Sequence, residues 1–392
     1  MVNSTFLNFL SLLIFKHKSK HIAIFVISTL IVWLLSSMLF ISSSIKHDAL
    51  FSLDAQPDFV VQKLLGGKSR VMDIEEIEKY AEISGVSAVV GRVYGEYMTP
   101  DREHHFHIIG VDFFDEVLNQ NLKKLFSNLD IKAFLKTPHM IVGDGVKNYM
   151  AKNYYTKYFN FSLPNGESKK VTIFDNFAYE SSLLSNDVVL MSIDEAREIL
   201  GYNQNQITDI ALNVPNDAER ANVKLKLLSL DYDTRVISKS EKTTAFENFY
   251  NYKSGIFLLL FMIVFFTFML ILYQRYSMIN SSDKKEIAIL RSTGWSIKDV
   301  LKLKVSETLI VGLFAFVLGL FLAFIYVFVL DAPLLRDVFL GFSNLENQVS
   351  FTPVFDFGLI SSIFLLFIVP FVASVLIPVW KIAITDPNEA MK

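Results

Sequence analysis

The sequence predicts a membrane protein with four all-α spanning helices and one large α+β domain inserted between the first and the second. Three observations predict it. Four long runs contain no Asp, Glu, Lys or Arg, and each is long enough to cross a bilayer. The stretch between the first two runs has the mixed composition of a water-exposed domain. The loops differ in charge according to the side of the membrane they would face. The bulk composition agrees: 52% of the 392 residues are apolar, 36 are Phe and only 20% are charged. That is too apolar for a soluble domain and too polar for a chain that is all membrane. The net charge of -3 gives no basic field for nucleic acid, and the absence of cysteine excludes disulfides, thiolate metal sites and cysteine nucleophiles.

Residues 1–21 carry Lys16, Lys18 and Lys20 and no acid, and read as a cytoplasmic segment. Residues 22–45 form the first span. The run is longer than the apolar core of a signal peptide, so it reads as an uncleaved anchor. Residues 46–253, with 24 basic and 30 acidic side chains, form the outside domain. Its strands are expected at Phe59 to Leu65, closed by Gly66-Gly67, and at Val86 to Val93, His105 to Val111, Met140 to Val142, Lys170 to Phe174 and Val188 to Met191. A helix is expected from Asp73 to Ile83, with Asp73 as N-cap and Glu76 as its capping-box partner. Another should run from Ile193 to Leu200 and stop at Gly201. A strand over 207–214, a helix over 217–230 and a strand over 234–237 give the last third a βαβ character, and two subdomains are expected.

The second span is 254–274, and 275–307 is a short loop; residues 274–304 carry seven basic residues from Arg275 to Lys304 against Asp283, Glu286 and Asp299. That excess puts the loop in the cytoplasm. The third span is 308–330. Residues 331–356 have Arg336 against four acids and belong outside. The fourth span is 357–380, and 381–392 is a cytoplasmic tail.

Few chemical motifs occur. Gly66-Gly67-Lys68-Ser69 lacks the leading glycine of a phosphate loop and reads as a turn after a strand. On a strand, His105 and His107 share a face while His104 points away. Imidazoles so spaced can share a metal, and a solvated edge strand is the plain alternative. The loop carries Asp283-Lys-Lys-Glu-Ile-Ala-Ile-Leu-Arg-Ser-Thr-Gly-Trp-Ser. Asp283 is expected to cap a short amphipathic helix with Glu286 as its partner, Gly294 to stop it, and Ser296 with Asp299 to start the next. Such a helix can face protein through Ile287 and Leu290, or only rest on lipid headgroups.

The segment Glu286-Ile-Ala-Ile-Leu-Arg-Ser-Thr-Gly-Trp-Ser resembles the coupling segment of the FtsX/MacB/LolC–LolE (type VII) ABC transporter permeases. Glu307, Gly312, Gly319 and the tail Pro378-Val-Trp-Lys-Ile-Ala-Ile-Thr-Asp-Pro-Asn-Glu-Ala-Met match further elements of that pattern. The resemblance covers 256–392 by motif and 1–255 only by layout. It implies a MacB-like periplasmic domain and a multi-pass protein of the bacterial cytoplasmic membrane with both termini inside. The implied partners are a cytoplasmic ABC ATPase dimer, a second permease copy and membrane lipid. ATP and Mg would sit on the separate ATPase, so this chain is not itself the enzyme and holds no cofactor.

The implied work is mechanotransmission: ATP hydrolysis moves the periplasmic domain for export or for lipoprotein or peptide handling. Lys284, Glu286 and Arg291 are then candidates for polar contacts to the ATPase, and Ile287, Leu290 and Trp295 for the apolar seat. Gly294 permits the turn. Glu307 is either functional or simply wet at a helix end, and Gly312 and Gly319 allow close helix approach. Two other readings stand beside it: a membrane-anchored sensor or scaffold with an outside ligand-binding domain, and a metal-linked transport accessory using His104, His105 and His107.

Overall fold

Helices longer than the uncharged runs carry the four spans, three of them by a wide margin. The computed structural model describes residues 4–113, 131–177, 185–277, 281–340, 345 and 351–384. In chain order its elements begin with α1 (Ser4–Lys16), α2 (Lys18–Asp54), β1 (Phe59–Leu65), β2 (Lys68–Arg70), β3 (Met72–Asp73), α3 (Ile77–Ala81), β4 (Ala88–Met98) and β5 (His105–Val111). Next come α4 (Ile131–Phe134), β6 (His139–Val142), α5 (Asp144–Lys152), β7 (Tyr158–Ser162), β8 (Ser168–Asn176), β9 (Val188–Ser192), α6 (Ile193–Leu200), β10 (Gln206–Ile207) and β11 (Asp209–Asn213). The last are α7 (Arg220–Leu230), β12 (Thr234–Ser238), α8 (Lys239–Ser277), α9 (Ser281–Ser292), α10 (Ile297–Phe328), α11 (Arg336–Leu340) and α12 (Phe357–Ala383).

The chain divides into two units. The first comprises 1–43, 251–339 and 353–392, and the second 44–250 and 340–352. α2, α8, α10 and α12 are each long and apolar enough to cross a membrane. They outrun the uncharged windows because Lys and Glu end an apolar run without ending a helix; both are good helix formers.

In the first unit, Val32 and Leu35 of α2, Phe265 of α8, Val311 and Phe316 of α10 and Phe367 and Phe371 of α12 form one buried cluster. The two glycines of α10 set its spacing. A Cβ on Gly312 would stand 2.7 Å from Phe371 Cε1, and one on Gly319 would stand 2.8 Å from Val32 Cβ and 2.9 Å from the Thr29 carbonyl oxygen. Gly312 thus admits α12, and Gly319 admits α2.

The second unit is built on a ten-stranded mixed sheet in the order β12-β1-β11-β4-β5-β9-β6-β8-β7, with β2 hairpinned onto β1. The eleven-residue β4 joins two halves: Ala88–Arg92 pairs with β11, and Val93–Met98 pairs with β5. Each half has its own core. One gathers Phe59, Val61, Ile210, Leu212, Val223 and Leu227. The other gathers Phe106, Ile108, Phe159, Phe161, Val189 and Ile199. The expected α+β domain with two subdomains is therefore one sheet whose halves have separate cores, with a further buried cluster of Val111, Phe113, Phe134, Ile141 and Leu190 on the second half.

Gly66 and Gly67 (φ 59° and 80°) make the two-residue turn from β1 to β2, where Leu65 pairs with Lys68. Gly201 closes α6 with φ 78°. The expected capping box at Asp73 does not form: Asp73 ends β3, its side chain caps nothing, and Glu76 pairs instead with Lys63. α5 and β7 add structure beyond the elements read from sequence. Leu345 is buried against the second core, and Thr352 donates to the buried Asp48 carboxylate.

Candidate functional site

Four residues fix the reversal between α9 and α10. Gly294, at φ 98°, donates its backbone N–H to the Arg291 carbonyl at 3.2 Å, and Trp295 donates to the Leu290 carbonyl at 3.0 Å. These are the two bonds of a Schellman stop, and Leu290 and Trp295 both pack on the Ile287–Val300 cluster beside it. Ser296 and Asp299 then form a reciprocal capping box that opens α10. Asp283 lies inside α9 and not at its N-cap, where the box was expected. α9 already runs from Ser281, and Glu286 is turned to other partners.

α9 lies against its own chain. Ile287 is 3% exposed and packs on Val300, with Leu290, Trp295 and Ile297 around them. Leu290 and Trp295 also reach a cluster built on Leu10, Leu13 and Leu303, where Trp295 meets Phe9 at 5.7 Å between ring centres. The apolar residues read as a seat thus hold the helix down. The open side presents Ile289, 56% exposed, with Ser292 and Thr293. Beside it, between α1 and α9, runs a groove of about 540 Å³ walled by Phe9, Leu12, Leu13, Ile289 and Leu290.

Beneath that groove lies a row of alternating charges. Glu286, with 14% of its side chain exposed, takes Lys16 Nζ at 3.3 Å and His17 Nε2 at 3.4 Å on Oε2, and Lys304 Nζ at 3.3 Å on Oε1. Lys304 Nζ also lies 3.0 Å from Glu307 Oε2, and His21 Nε2 lies 2.8 Å from Glu307 Oε1. Burial works against the charge of Glu286, but Lys304, His17 and Lys16 outweigh it and hold the carboxyl below its ordinary value. The row ties α9 to α10 and to α1 with the start of α2. Of its six members, sequence reading singled out Glu286 and Glu307.

The other predicted residues fall as follows. Arg291 is half-buried, and its Nε has no hydrogen-bond partner among the described residues. The Lys284 side chain and the tail around Asp386-Pro387 lie outside the described residues.

In the inserted domain the three histidines part company. His104 Nδ1 stands 3.4 Å from Asp101, which also accepts from Thr99 and from the Tyr149 hydroxyl. The Thr99 bond, opposed by slight burial and joined by Tyr149, holds Asp101 below the usual carboxylate range. Burial and Asp101 push Tyr149 up to about 12. His107 is engaged at both nitrogens, with the Tyr94 hydroxyl at 2.9 Å and Asp187 at 3.4 Å, while the His105 ring stands 5.4 Å away. Among the described residues no three His, Asp or Glu side chains converge as a metal site.

Residues 255–387 match the family of FtsX-like permease C-terminal domains. This part of the chain is an FtsX-like permease domain. The permease domain contains the second half of α8 and all of α9, α10 and α12, and with them Glu286, Lys304 and Glu307; Lys16, His17 and His21 precede it. The resemblance to ABC permeases therefore holds in the segment whose motif carries it. Among solved structures the chain is similar to the periplasmic region of MacB from Actinobacillus actinomycetemcomitans, at 11% identity over 48% of this chain and 92% of that one, with a TM-score of 0.32. It is also similar to the extracellular domain of the ABC-type transporter YknZ from Gram-positive bacteria, at 11% identity over 46% and 99%, with a TM-score of 0.30. No curated protein matches the chain in sequence. Four membrane-length helices joined to a permease domain make it a multi-pass membrane protein.

Proposed function

We propose that the chain is the membrane subunit of an ABC transporter whose ATP-binding subunits are separate polypeptides. In this reading the 275–307 loop and both termini face the cytoplasm, two permease copies share a dimer of ATPases, and ATP and Mg reside on those partners. α9 is the coupling helix. The observation that carries this is its two-sidedness within the permease domain. Glu286, Ile287 and Leu290 fasten its inner side, while Ile289, Ser292 and the apolar groove beside Leu12 leave its outer side open. A helix held so can take a push on its outer face and pass it to α10 and α2 as a body, because buried charge pairs and packed side chains resist shear. The output is movement of the inserted domain, serving export or the handling of a lipoprotein or peptide outside the membrane.

The test is co-purification. Full-length chain drawn from its own host in mild detergent is expected to bring an ATP-binding protein with it and to hydrolyse ATP. Ile289→Asp is expected to lose both while leaving the chain's melting temperature unchanged. If Ile289→Asp retains the ATPase and its activity, the assignment of this face is wrong.

A further inference from the structure

In the β12-β1-β11-β4 half of the large sheet, one face is covered by helices and the other borders a cavity, beside the buried cluster of Val111, Phe113, Phe134 and Leu190. Alternation along the strands sends Phe59, Val61, Ile210 and Leu212 into the helix-covered core. Val60, Arg92 and Asp209 point the other way, into a cavity of about 400 Å³. Its apolar wall is Ile109, Val111, Leu190 and Ile237, and its polar end is made by Arg92, Asp209, Gln56 and Lys242.

The charges at that end do not balance. Arg92 and Asp209 sit directly opposite in the β4–β11 pairing and bond twice, Nε to Oδ1 at 2.8 Å and a terminal guanidinium nitrogen to Oδ2 at 2.9 Å. Each consumes the other. Lys242 is left with a neutral partner, the Gln56 amide oxygen at 3.1 Å. The charged groups facing it are Arg92, Asp209 and Arg235, two cations to one anion. Among the described residues no carboxylate lies within ion-pair distance of its ammonium. A half-buried ammonium without a counter-ion, at the end of an apolar hollow, is a cost that an anion would relieve.

We propose that this cavity binds a small amphiphilic anion, with its anionic head on Lys242 and Gln56 and its apolar body against Ile109, Val111 and Leu190. The volume lies at the small end of ligand pockets, so the ligand has one short tail or a compact apolar body, and a two-tailed lipid does not fit.

The experiment uses the full chain in phosphatidylcholine nanodiscs with a medium-chain carboxylic acid bearing a photoreactive diazirine at its tail. After irradiation and digestion, mass spectrometry is expected to find the label on β5 or β9. Excess octanoate is expected to remove it, while octanol and acetate, each at the same concentration, leave most of it. Lys242→Gln is expected to lower labelling roughly tenfold, the value of one charge-assisted hydrogen bond, and Lys242→Arg to retain it. Three results overturn the proposal: label found only elsewhere, equal competition by octanol, or equal competition by acetate. The competition arms use the unaltered protein and do not depend on the folding of any variant.

Discussion

The ammonium of Lys304 stands 3.3 Å from Glu286, joining α10 to the helix before it, and the same nitrogen reaches Glu307 at 3.0 Å. One cation therefore holds two carboxylates that are 14% and 6% exposed. Removing it leaves both without their shared partner, and unpairing buried charge costs more than the pair contributes when intact. Lys304→Met is expected to destabilise the first unit by about 2 kcal/mol, less than a buried charge left alone would cost, because Glu286 keeps Lys16 and His17 and Glu307 keeps His21. A detergent thermal melt should show this as a clear fall, with Lys304→Arg close to the unaltered chain. An unchanged melt for Lys304→Met would mean that the row is not structural.

The two glycines of α10 should differ in tolerance. Gly312→Ala meets the edge of the Phe371 ring, which can tilt, whereas Gly319→Ala meets the Thr29 backbone carbonyl, which can yield only by moving α2. Gly319→Ala is expected to lower the melting temperature more than Gly312→Ala, and both to leave the inserted domain's protease resistance unaltered.

Gly294 holds a left-handed backbone that closes the Schellman stop. Gly294→Ala is expected to cost about 1 kcal/mol from that conformation alone. Hydrogen exchange should quicken at the Gly294 and Trp295 amides and not at mid-α10. Uniform change along both helices would contradict a local role.

The Asp101–Tyr149 contact predicts two limbs in a pH titration of the inserted domain's stability within the full chain. Asp101 has a depressed value in the fold, so its contribution is present above the ordinary carboxylate range and is lost as pH falls through and below it. Tyr149 is raised to about 12, so its contribution is complete below the ordinary tyrosine value near 10 and is lost as pH rises from there toward 12. Tyr149→Phe is expected to shrink the alkaline limb, to which Tyr80, Tyr94 and Tyr250 also contribute, and to weaken the acid one. An unchanged alkaline limb in Tyr149→Phe would assign it to another group.

Local signals were legible and distant ones were not. Phe59–Leu65, His105–Val111 and Ile193–Leu200 could be bounded from sequence because β-branched alternation, or an apolar period followed by glycine, is written within a few residues. The Gly294 stop and the Ser296 cap were legible for the same reason. The span helices were located but not measured, since Lys and Glu mark the edge of the hydrocarbon and not the end of α2 or α8. Glu286 stood out by its motif, yet its partners Lys16 and His17 lie about 270 residues away, and three basic residues before a span read equally well as an inside flank. Asp73 and Glu76 had the spacing of a capping box, but a lysine from β1 claims Glu76 first.

The sequence contains no cysteine, so a single introduced one is a unique attachment point. Ile289→Cys carrying a photoreactive maleimide, irradiated in native membranes, probes the open face of α9 directly. A covalent adduct with an ATP-binding protein is expected, identified by mass spectrometry and altered in yield by nucleotide. Adducts with lipid alone, in membranes where the chain is folded and abundant, would contradict it.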